Sequence, residues 1–275
     1  MRNFGIFTIV AVMTAVPAAM GQVADAANTT LRVSAEGRQA LAEARGVAGL
    51  VTGLDGELRM AALQRAAEAY EGVTANHTGD RATCARASFE AGELWRRHGS
   101  LSVAERAYGR AAELDPGRYA ERGLLQVAHM QRRQDQLEKA NASYMKVAMI
   151  NAGSSRSFEA RLWIGRTTES LEKPVEAIAA YRQAVEAATR TRQSIEACNW
   201  LAKALVASGD LDGAAAALIL ADKGVEAAAL KGESGVESLK KALAEMSARK
   251  ALQRARDKKN GAHKDARSLM KGRRG

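Results

Sequence analysis

The residue types that most often carry out catalysis or hold metal ions are few and scattered in this chain of 275 residues. It has no phosphate-binding glycine loop, no nucleophile elbow and no metalloprotease helix motif. The run from Asp210 to Gly213 begins like a calcium loop, but its Gly comes too early and no Glu follows at the required distance. The histidines share no ligand-like spacing: His77, His98, His129 and His263. We therefore expect a non-catalytic protein without a cofactor, a metal ion or a small-molecule substrate.

Two pairs of side chains have a spacing that needs interpretation. Cys84 and Cys198 have no CxxC partner, and the repeats described below place them about three repeats apart, too far for a disulfide. We expect two buried or half-buried free thiols. Trp163 and Trp200 lie 37 positions apart, in FEARLWIGR and IEACNWLAK. They either pack between repeats or form a pair of aromatic anchors beside a binding groove, and both interpretations remain open.

An internal repeat defines the elements that would position these side chains. The stretch AERAYGRAAELDP carries Ala104, Tyr108 and Ala111, and its Tyr position recurs after 36, 37 and 37 residues. A small residue lies 12 positions before the first Ala of each copy: Gly92, Ala128, Gly165 and Ala202. The later copies are Ala140-x3-Tyr144-x2-Val147, Ala177-x3-Tyr181-x2-Ala184 and Ala214-x3-Leu218-x2-Ala221, with a weaker one upstream, Ala66-x3-Tyr70-x2-Val73. A fixed period in the thirties predicts stacked helix pairs.

The composition agrees with thin helical layers. Hydrophobic residues make up 47% of the chain and aromatic residues only 4%, and there are three Pro. Much of the apolar content is Ala, which favours closely packed helices. We expect the small residues to let the two helices of a pair approach, and the aromatic residue to fill the seam to the next pair.

On these residues the chain resembles the tetratricopeptide repeat family, over residues 85–223. The resemblance implies an all-α, right-handed α-solenoid of helix-turn-helix repeats, here with a C-terminal capping helix. The period of 36 to 37 exceeds the usual 34, so we expect longer loops between repeats. Such lengthened repeats are similar to those of exported envelope proteins that work beside outer-membrane assembly or Tol-Pal machinery.

The repeats and the composition together define the segments of the chain. A solenoid is predicted over 34–232, beginning with a degenerate helix pair (34–53 and 57–74). The clearer repeats span 85–116, 121–152, 158–189 and 195–226. A last amphipathic helix over 233–259 would cap the solenoid with a stripe of apolar side chains, Val236, Leu239, Leu243, Met246 and Leu252. Residues 260–275 are polar and basic and are expected to be disordered.

The N-terminus has the pattern of a secretory signal peptide over residues 1–26, followed by a linker over 27–33. Arg2 precedes an uncharged apolar run at 4–16, and Pro17 and small residues follow. We expect an exported protein, periplasmic or secreted; the alternative is an uncleaved N-terminal membrane anchor. No Cys precedes Cys84, so a bacterial lipid-anchor site is absent from this segment.

The resemblance also implies where a partner would bind, since the first helix of each repeat lines the inner groove in the family. The corresponding positions here are rich in Arg, and Arg forks suit carboxylates or phosphates. The family's clamp of two lysines and two asparagines for a C-terminal carboxylate does not map onto them. The alternative is a merely solvated helix face. The candidate groove residues are Arg86, Phe89, Arg96, Arg97, Arg122, His129, Arg132, Arg133, Trp163, Arg166, Asn199, Trp200 and Lys203, and the same positions also include Glu93, Leu125, Glu159, Leu162, Glu169 and Glu196.

Positive charge is concentrated at the C-terminus. Residues 231–275 contain 14 Lys and Arg against 5 Asp and Glu, whereas the other 230 residues contain 27 against 26. The tail could contact a polyanion or an anionic membrane surface, or act only as a solubilising segment. Nucleic acid is not expected, because an export pattern and the lack of interleaved aromatics count against it. The candidate residues are Lys258, Lys259, Lys264, Arg267, Lys271, Arg273 and Arg274.

The sequence therefore predicts a protein-interaction scaffold or adaptor of the cell envelope, which holds an extended, acidic segment of a protein partner in its groove. Two alternatives remain open. One is polyanion or anionic-membrane binding through the basic tail and the Arg-rich groove. The other is a non-catalytic subunit of an envelope enzyme complex.

Overall fold

The computed structural model describes the backbone of residues 31–272 and the side chains of residues 31–261. The predicted signal peptide lies outside the described residues, as do Arg273 and Arg274. Within the described part the chain forms helices and no strands. They are α1 (Ala35–Gly49), α2 (Gly56–Asn76), α3 (Arg81–Arg97), α4 (Leu101–Leu114), α5 (Pro116–Arg133), α6 (Leu137–Ile150), α7 (Ser155–Ser170), α8 (Pro174–Glu186), α9 (Thr191–Ser208), α10 (Leu211–Leu230), α11 (Val236–Ala244) and α12 (Ser247–Gly272).

The first ten helices form five consecutive pairs, and the predicted all-α solenoid is confirmed. Each helix packs mainly against its neighbours in the chain, and the first helices of successive pairs also touch one another. The four repeats correspond to α3–α4, α5–α6, α7–α8 and α9–α10, and each begins about four residues before the predicted boundary. No described helix is both long and apolar enough to cross a membrane.

The repeat tyrosines occupy the space that the small residues leave open. Tyr108, Tyr144 and Tyr181 are fully buried. A Cβ built on Gly92 would lie 2.8 Å from the ring of Tyr108, and one on Gly165 would lie 2.4 Å from the ring of Tyr181. The small residue of the first helix therefore makes room for the aromatic ring of its own repeat. We expected it to let the two backbones approach, and the structure assigns it this different role.

The turn inside each repeat uses the left-handed backbone region at one fixed position. Gly99 has a φ of 83° and Gly209 a φ of 87°. Asp135 and Glu172 stand at the corresponding positions of the second and third repeats, with φ values of 59° and 57°. Left-handed backbone costs an L side chain roughly 1–2 kcal/mol. Two of the four turns are therefore strained.

The C-terminal segment differs from the sequence-based expectation. Instead of one helix over 233–259, α11 and α12 meet at Glu245 and Met246, and Met246 is buried. Leu239, Met246 and Leu252 pack into the core of the last repeat, so the predicted capping role holds for this end. Residues 260–272, expected to be disordered, continue α12. They contain no Pro, and their Ala, Lys, Arg, Leu and Met favour a helix.

Both cysteines are buried free thiols, as predicted. Burial is the main reason that the pKa of each thiol lies above its usual value. Cys84 donates a hydrogen bond to the carbonyl of His77 at 3.1 Å, which makes it part of the turn before α3.

Candidate functional site

The cavities along the first helices of the pairs fall into two basins. The N-terminal basin combines two adjoining cavities of about 500 and 380 Å³, which share Arg45, Tyr70, Glu90 and Arg97. The C-terminal basin combines cavities of about 450 and 470 Å³, which meet at Trp163, Arg166 and Trp200.

A ladder of alternating cations and tryptophans runs through the C-terminal basin. We call Arg132, Trp163, Arg166, Trp200 and Lys203 the cation–tryptophan ladder. The guanidinium carbon of Arg166 lies 3.9 Å from the centre of the Trp163 ring and 4.6 Å from that of Trp200. Arg132 covers Trp163 at 4.1 Å, and the ammonium of Lys203 lies 4.2 Å from the Trp200 ring. All these distances are within the range of favourable cation–π contacts.

Each tryptophan of the ladder also packs against the tyrosine of the preceding repeat. Trp163 is stacked on Tyr144, with ring centres 6.1 Å apart and an interplanar angle of 11°. Trp200 is stacked on Tyr181 at 6.2 Å and 15°. Trp163 and Trp200 therefore pack between repeats and also line the C-terminal basin, so both interpretations that the sequence left open apply to them. The buried tyrosines fix the orientation of the ladder.

The tyrosine hydroxyls reach polar side chains of the groove, a connection that sequence reasoning missed. Tyr108 donates to a carboxylate oxygen of Glu93 at 2.7 Å, and Tyr181 donates to Glu169 at 2.9 Å. The hydroxyl of Tyr144 lies 2.7 Å from Nδ1 of His129. Burial raises the pKa of Tyr144 to about 12, and the nearby Arg132 opposes this shift. The recurring offset of 15 residues between Glu93 and Tyr108, and between His129 and Tyr144, was the available signal.

The cations of the ladder have no carboxylate partner among the described side chains. Arg132, Arg166 and Lys203 form no ion pair there. Nε of Arg132 is buried and makes no hydrogen bond. The nearby carboxylate of Glu159 is engaged elsewhere, because it lies 3.2 Å from Nε2 of His129. That hydrogen bond holds the pKa of Glu159 below its usual value despite partial burial.

Two glutamates of the N-terminal basin are paired with arginines of the same basin. Glu90 accepts hydrogen bonds from Arg45 at 2.6 and 2.7 Å and from Arg86 at 3.1 Å. Glu93 pairs with Arg96 at 2.8 Å. Arg122 is held differently, since its guanidinium carbon lies 4.0 Å above the centre of the Phe89 ring.

The remaining predicted groove residues have mixed positions. Arg97 is exposed at the edge of the N-terminal basin, and Arg133 is exposed outside both basins. Asn199 is not free to face a partner, because its side-chain oxygen accepts a hydrogen bond from the backbone N–H of Ala248 at 3.0 Å. It caps the start of α12, which the sequence does not predict because residues 233–259 read as one continuous helix.

The predicted basic tail is on α12. Lys258 and Lys259 are exposed, and Lys264, Arg267 and Lys271 lie on its last turns, where only the backbone is described. Among the side chains of residues 31–261, no group of three His, Cys, Asp or Glu is placed to hold a metal ion.

Three solved structures have a chain path similar to that of this protein. A double mutant of MamA RS-1 superposes with a TM-score of 0.50 at 13% identity, covering 71% of this chain and 98% of that one. MamA from residue 41 to the end, from Desulfovibrio magneticus RS-1, gives 0.49 at 13% identity over the same shares. YrrB, described as a TPR protein with an unusual peptide-binding site, gives 0.44 at 16% identity, over 70% of this chain and 99% of that one.

No protein-family model and no curated protein matches the chain. At such low identities the structural likeness shows the fold alone. Over residues 31–272 the protein is an α-solenoid of tetratricopeptide type, in which one helix pair, four repeats and two C-terminal helices follow one another.

Proposed function

We propose that this protein is a non-catalytic scaffold that binds an extended, acidic segment of a protein partner along the two basins. The observation that carries the proposal is the cation–tryptophan ladder, which holds three cations without a carboxylate partner among the described side chains. Its chemistry complements a row of carboxylates.

Stacking explains why these cations suit a partner better than ordinary surface arginines do. The face of the Arg166 guanidinium contacts two tryptophans, and its N–H groups lie in the plane of the fork, at its edge. They remain able to donate to a carboxylate. Because the rings already restrain the side chain, less conformational entropy is lost when a partner binds. The half-buried tryptophans add apolar surface beside these donors.

The proposal can be tested through the tryptophans themselves. A synthetic peptide of alternating Glu and Ser is titrated while tryptophan emission is recorded, in a Trp95→Phe background so that Trp163 and Trp200 alone report. We expect Arg166→Glu to weaken binding of this peptide at least about tenfold, that is by about 1.4 kcal/mol.

Arg182→Glu is the matched control. It makes the same change of charge on the exposed surface of α8, away from both basins. Equal losses for Arg166→Glu and Arg182→Glu would assign the effect to net charge alone. Equal affinity for the Glu peptide and for a Lys version of it would contradict the proposal.

A second candidate function, contact with an anionic membrane surface, is favoured by the course of α12. This helix carries nine Lys and Arg against two Asp, and residues 253–261 are exposed apart from the half-buried Ala255. Basic side chains near an anionic surface contribute about 1 kcal/mol each. We expect Lys258→Glu with Lys259→Glu to reduce co-sedimentation with phosphatidylserine vesicles. The control substitutions, Lys139→Glu with Lys146→Glu, lie on the exposed surface of α6. This variant should bind like the unmodified protein. Equal binding to vesicles of neutral lipid would exclude this function.

We also propose that the protein is exported, on the basis of the apolar run at residues 4–16 that follows Arg2. Sequencing the N-terminus of the mature protein tests this. A new N-terminus near residue 27 would support cleavage, and a mature chain that still begins at Met1 would contradict it.

A further inference from the structure

A contact at the end of the N-terminal basin joins two side chains that both tend to carry positive charge. Nη2 of Arg59, in the second turn of α2, lies 2.9 Å from Nδ1 of His98, the residue after the last turn of α3. A guanidinium can only donate, so Nδ1 must accept and the imidazole must be neutral. Protonation of His98 would abolish this hydrogen bond and place two cations in contact.

The groups around this contact leave it short of negative charge. Arg97 precedes His98 and faces the same cavity of about 500 Å³. Arg45 and Glu90, which also line it, neutralise each other. Tyr70 is neutral, because burial raises its pKa to about 12. The remaining acid on the cavity wall is Asp55, whose side chain makes neither an N-cap hydrogen bond nor an ion pair among the described residues.

The His98 ring is therefore partly buried and lies close to two cations. Burial is the largest cause that holds the pKa of His98 below its usual value, and the charges of Arg59 and Arg97 are the next. No carboxylate contacts the ring in the described structure.

We infer that Arg59, Arg97 and His98 form a binding site for a single oxyanion, such as sulfate, phosphate or a carboxylate, and that His98 takes up a proton when the anion binds. The two guanidinium groups donate to the anion oxygens. Arg59 then turns from the imidazole to the anion, which frees Nδ1 of His98. The ring accepts one proton from solvent and donates through that nitrogen. This site goes beyond the proposed scaffold function, because it requires no peptide and lies outside the cation–tryptophan ladder.

The sign of the pH dependence follows from linkage. The free protein holds His98 neutral at neutral pH, and the bound anion favours its charged form, so binding raises the pKa of His98. Reciprocally, affinity for the anion increases as the pH falls through the interval between the two pKa values. A difference of one between those values corresponds to a tenfold change in affinity.

The test is a histidine titration by NMR in the full-length protein, with sulfate as the probe and chloride at equal ionic strength as the reference. Sulfate keeps its charge over the whole range, so only the protein titrates. We expect sulfate to raise the pKa of His98 by about 0.5 or more, equivalent to about threefold in affinity. His77 and His129 should not respond, and His98→Gln identifies the resonance.

Variants separate the site from general screening and from loss of folding. Arg59→Gln and Arg97→Gln should each remove the response of His98 to sulfate. Arg59→Lys keeps the charge but loses the fork, and it should retain only part of the response. Circular dichroism melting checks that each variant is folded. Asp55→Asn should strengthen the response, since it removes the remaining acid of the cavity wall.

Two outcomes would overturn the inference. One is an identical titration of His98 in sulfate and chloride. The other is an equal shift of all histidines, which would show screening by salt. A parallel titration with glutarate distinguishes the sources of the oxyanion: a response to both probes assigns a general oxyanion site, and a response to sulfate alone assigns a site for tetrahedral anions. Failure here leaves the scaffold proposal intact if the Glu peptide still binds the ladder, as read by tryptophan emission.

Discussion

The two basins differ in the contacts that hold their central cations. In the N-terminal basin Arg45, Arg86 and Arg96 are paired with Glu90 and Glu93, so some of their donors are already used within the protein. In the C-terminal basin the cations stack on Trp163 and Trp200. Stacking occupies the face of a guanidinium and leaves its edge able to donate. The number of arginines alone therefore does not identify a binding surface. The contacts that hold each arginine do identify it.

The largest expected effect concerns the seam that supports each basin. Gly165→Val places a side chain where the ring of Tyr181 lies, 2.4 Å from a Cβ at that position. We expect the free energy of unfolding in urea to fall by about 1–3 kcal/mol or more. Because Tyr181 supports Trp200, the variant should also lose affinity for the acidic peptide.

Gly92→Val is the counterpart below the N-terminal basin, since a Cβ there would lie 2.8 Å from the ring of Tyr108. It should destabilise the fold similarly but leave the ladder intact. Gly224→Ala is the control, because its new Cβ would meet a methyl group of Thr191 at the ordinary distance of 3.8 Å. If Gly92→Val and Gly165→Val weakened peptide binding equally, the two basins would not be independent.

The next effect tests the ladder itself. Trp200→Leu keeps an apolar side chain but removes the ring that both Arg166 and Lys203 cover. We expect about a tenfold loss of affinity for the acidic peptide, or about 1.4 kcal/mol, by calorimetry. Arg122→Gln removes the exposed cation over Phe89 in the N-terminal basin, and there we expect less than a twofold loss. The reverse order would move the main binding surface to the N-terminal basin.

The sequence predicts the architecture well because the repeat is a packing rule. The spacing of Ala104, Tyr108 and Ala111 forces each pair to bury its apolar face against neighbours, and the same rule places Trp163 and Trp200 at equivalent positions. The state of each groove side chain does not follow from position alone. Asn199 fills a groove position by spacing, yet it caps α12, because the packing of a helix nearly fifty residues later decides its partner.

The contact of Arg59 with His98 was also beyond the sequence. Arg59 belongs to the degenerate first pair, for which the repeat gives no reliable register, and the two residues are 39 positions apart. The break at Met246 depends similarly on tertiary packing, since the segment reads as one amphipathic stripe from Val236 to Leu252.

A smaller effect concerns the turns beside the basins. Asp135 and Glu172 hold left-handed backbone where Gly99 and Gly209 hold it in the first and fourth repeats. We expect Glu172→Gly to raise the free energy of unfolding by about 0.5–1 kcal/mol, because relief of strain exceeds the added entropy of the unfolded chain. Asp135→Gly should gain less, since a short polar side chain tolerates this region better. Denaturation in urea measures both, and Gly99→Ala should show the opposite sign.

The smallest effect concerns the pH dependence of stability through one acid in each basin. Hydrogen bonding to His129 lowers the pKa of Glu159, so its contribution to stability is present above the pKa of an unfolded Glu and is lost as the pH falls through the folded value. We therefore expect the stability of Glu159→Gln to fall less steeply than that of the unmodified protein at pH values below the ordinary pKa of Glu. Glu93 shows the same sign for a different reason: burial opposes ionisation, and hydrogen bonds from Arg96 and Tyr108 outweigh it. Since Arg96 stays charged at every accessible pH, the dependence through Glu93 should be confined to acid. Melting temperatures recorded from neutral to acid pH measure both contributions.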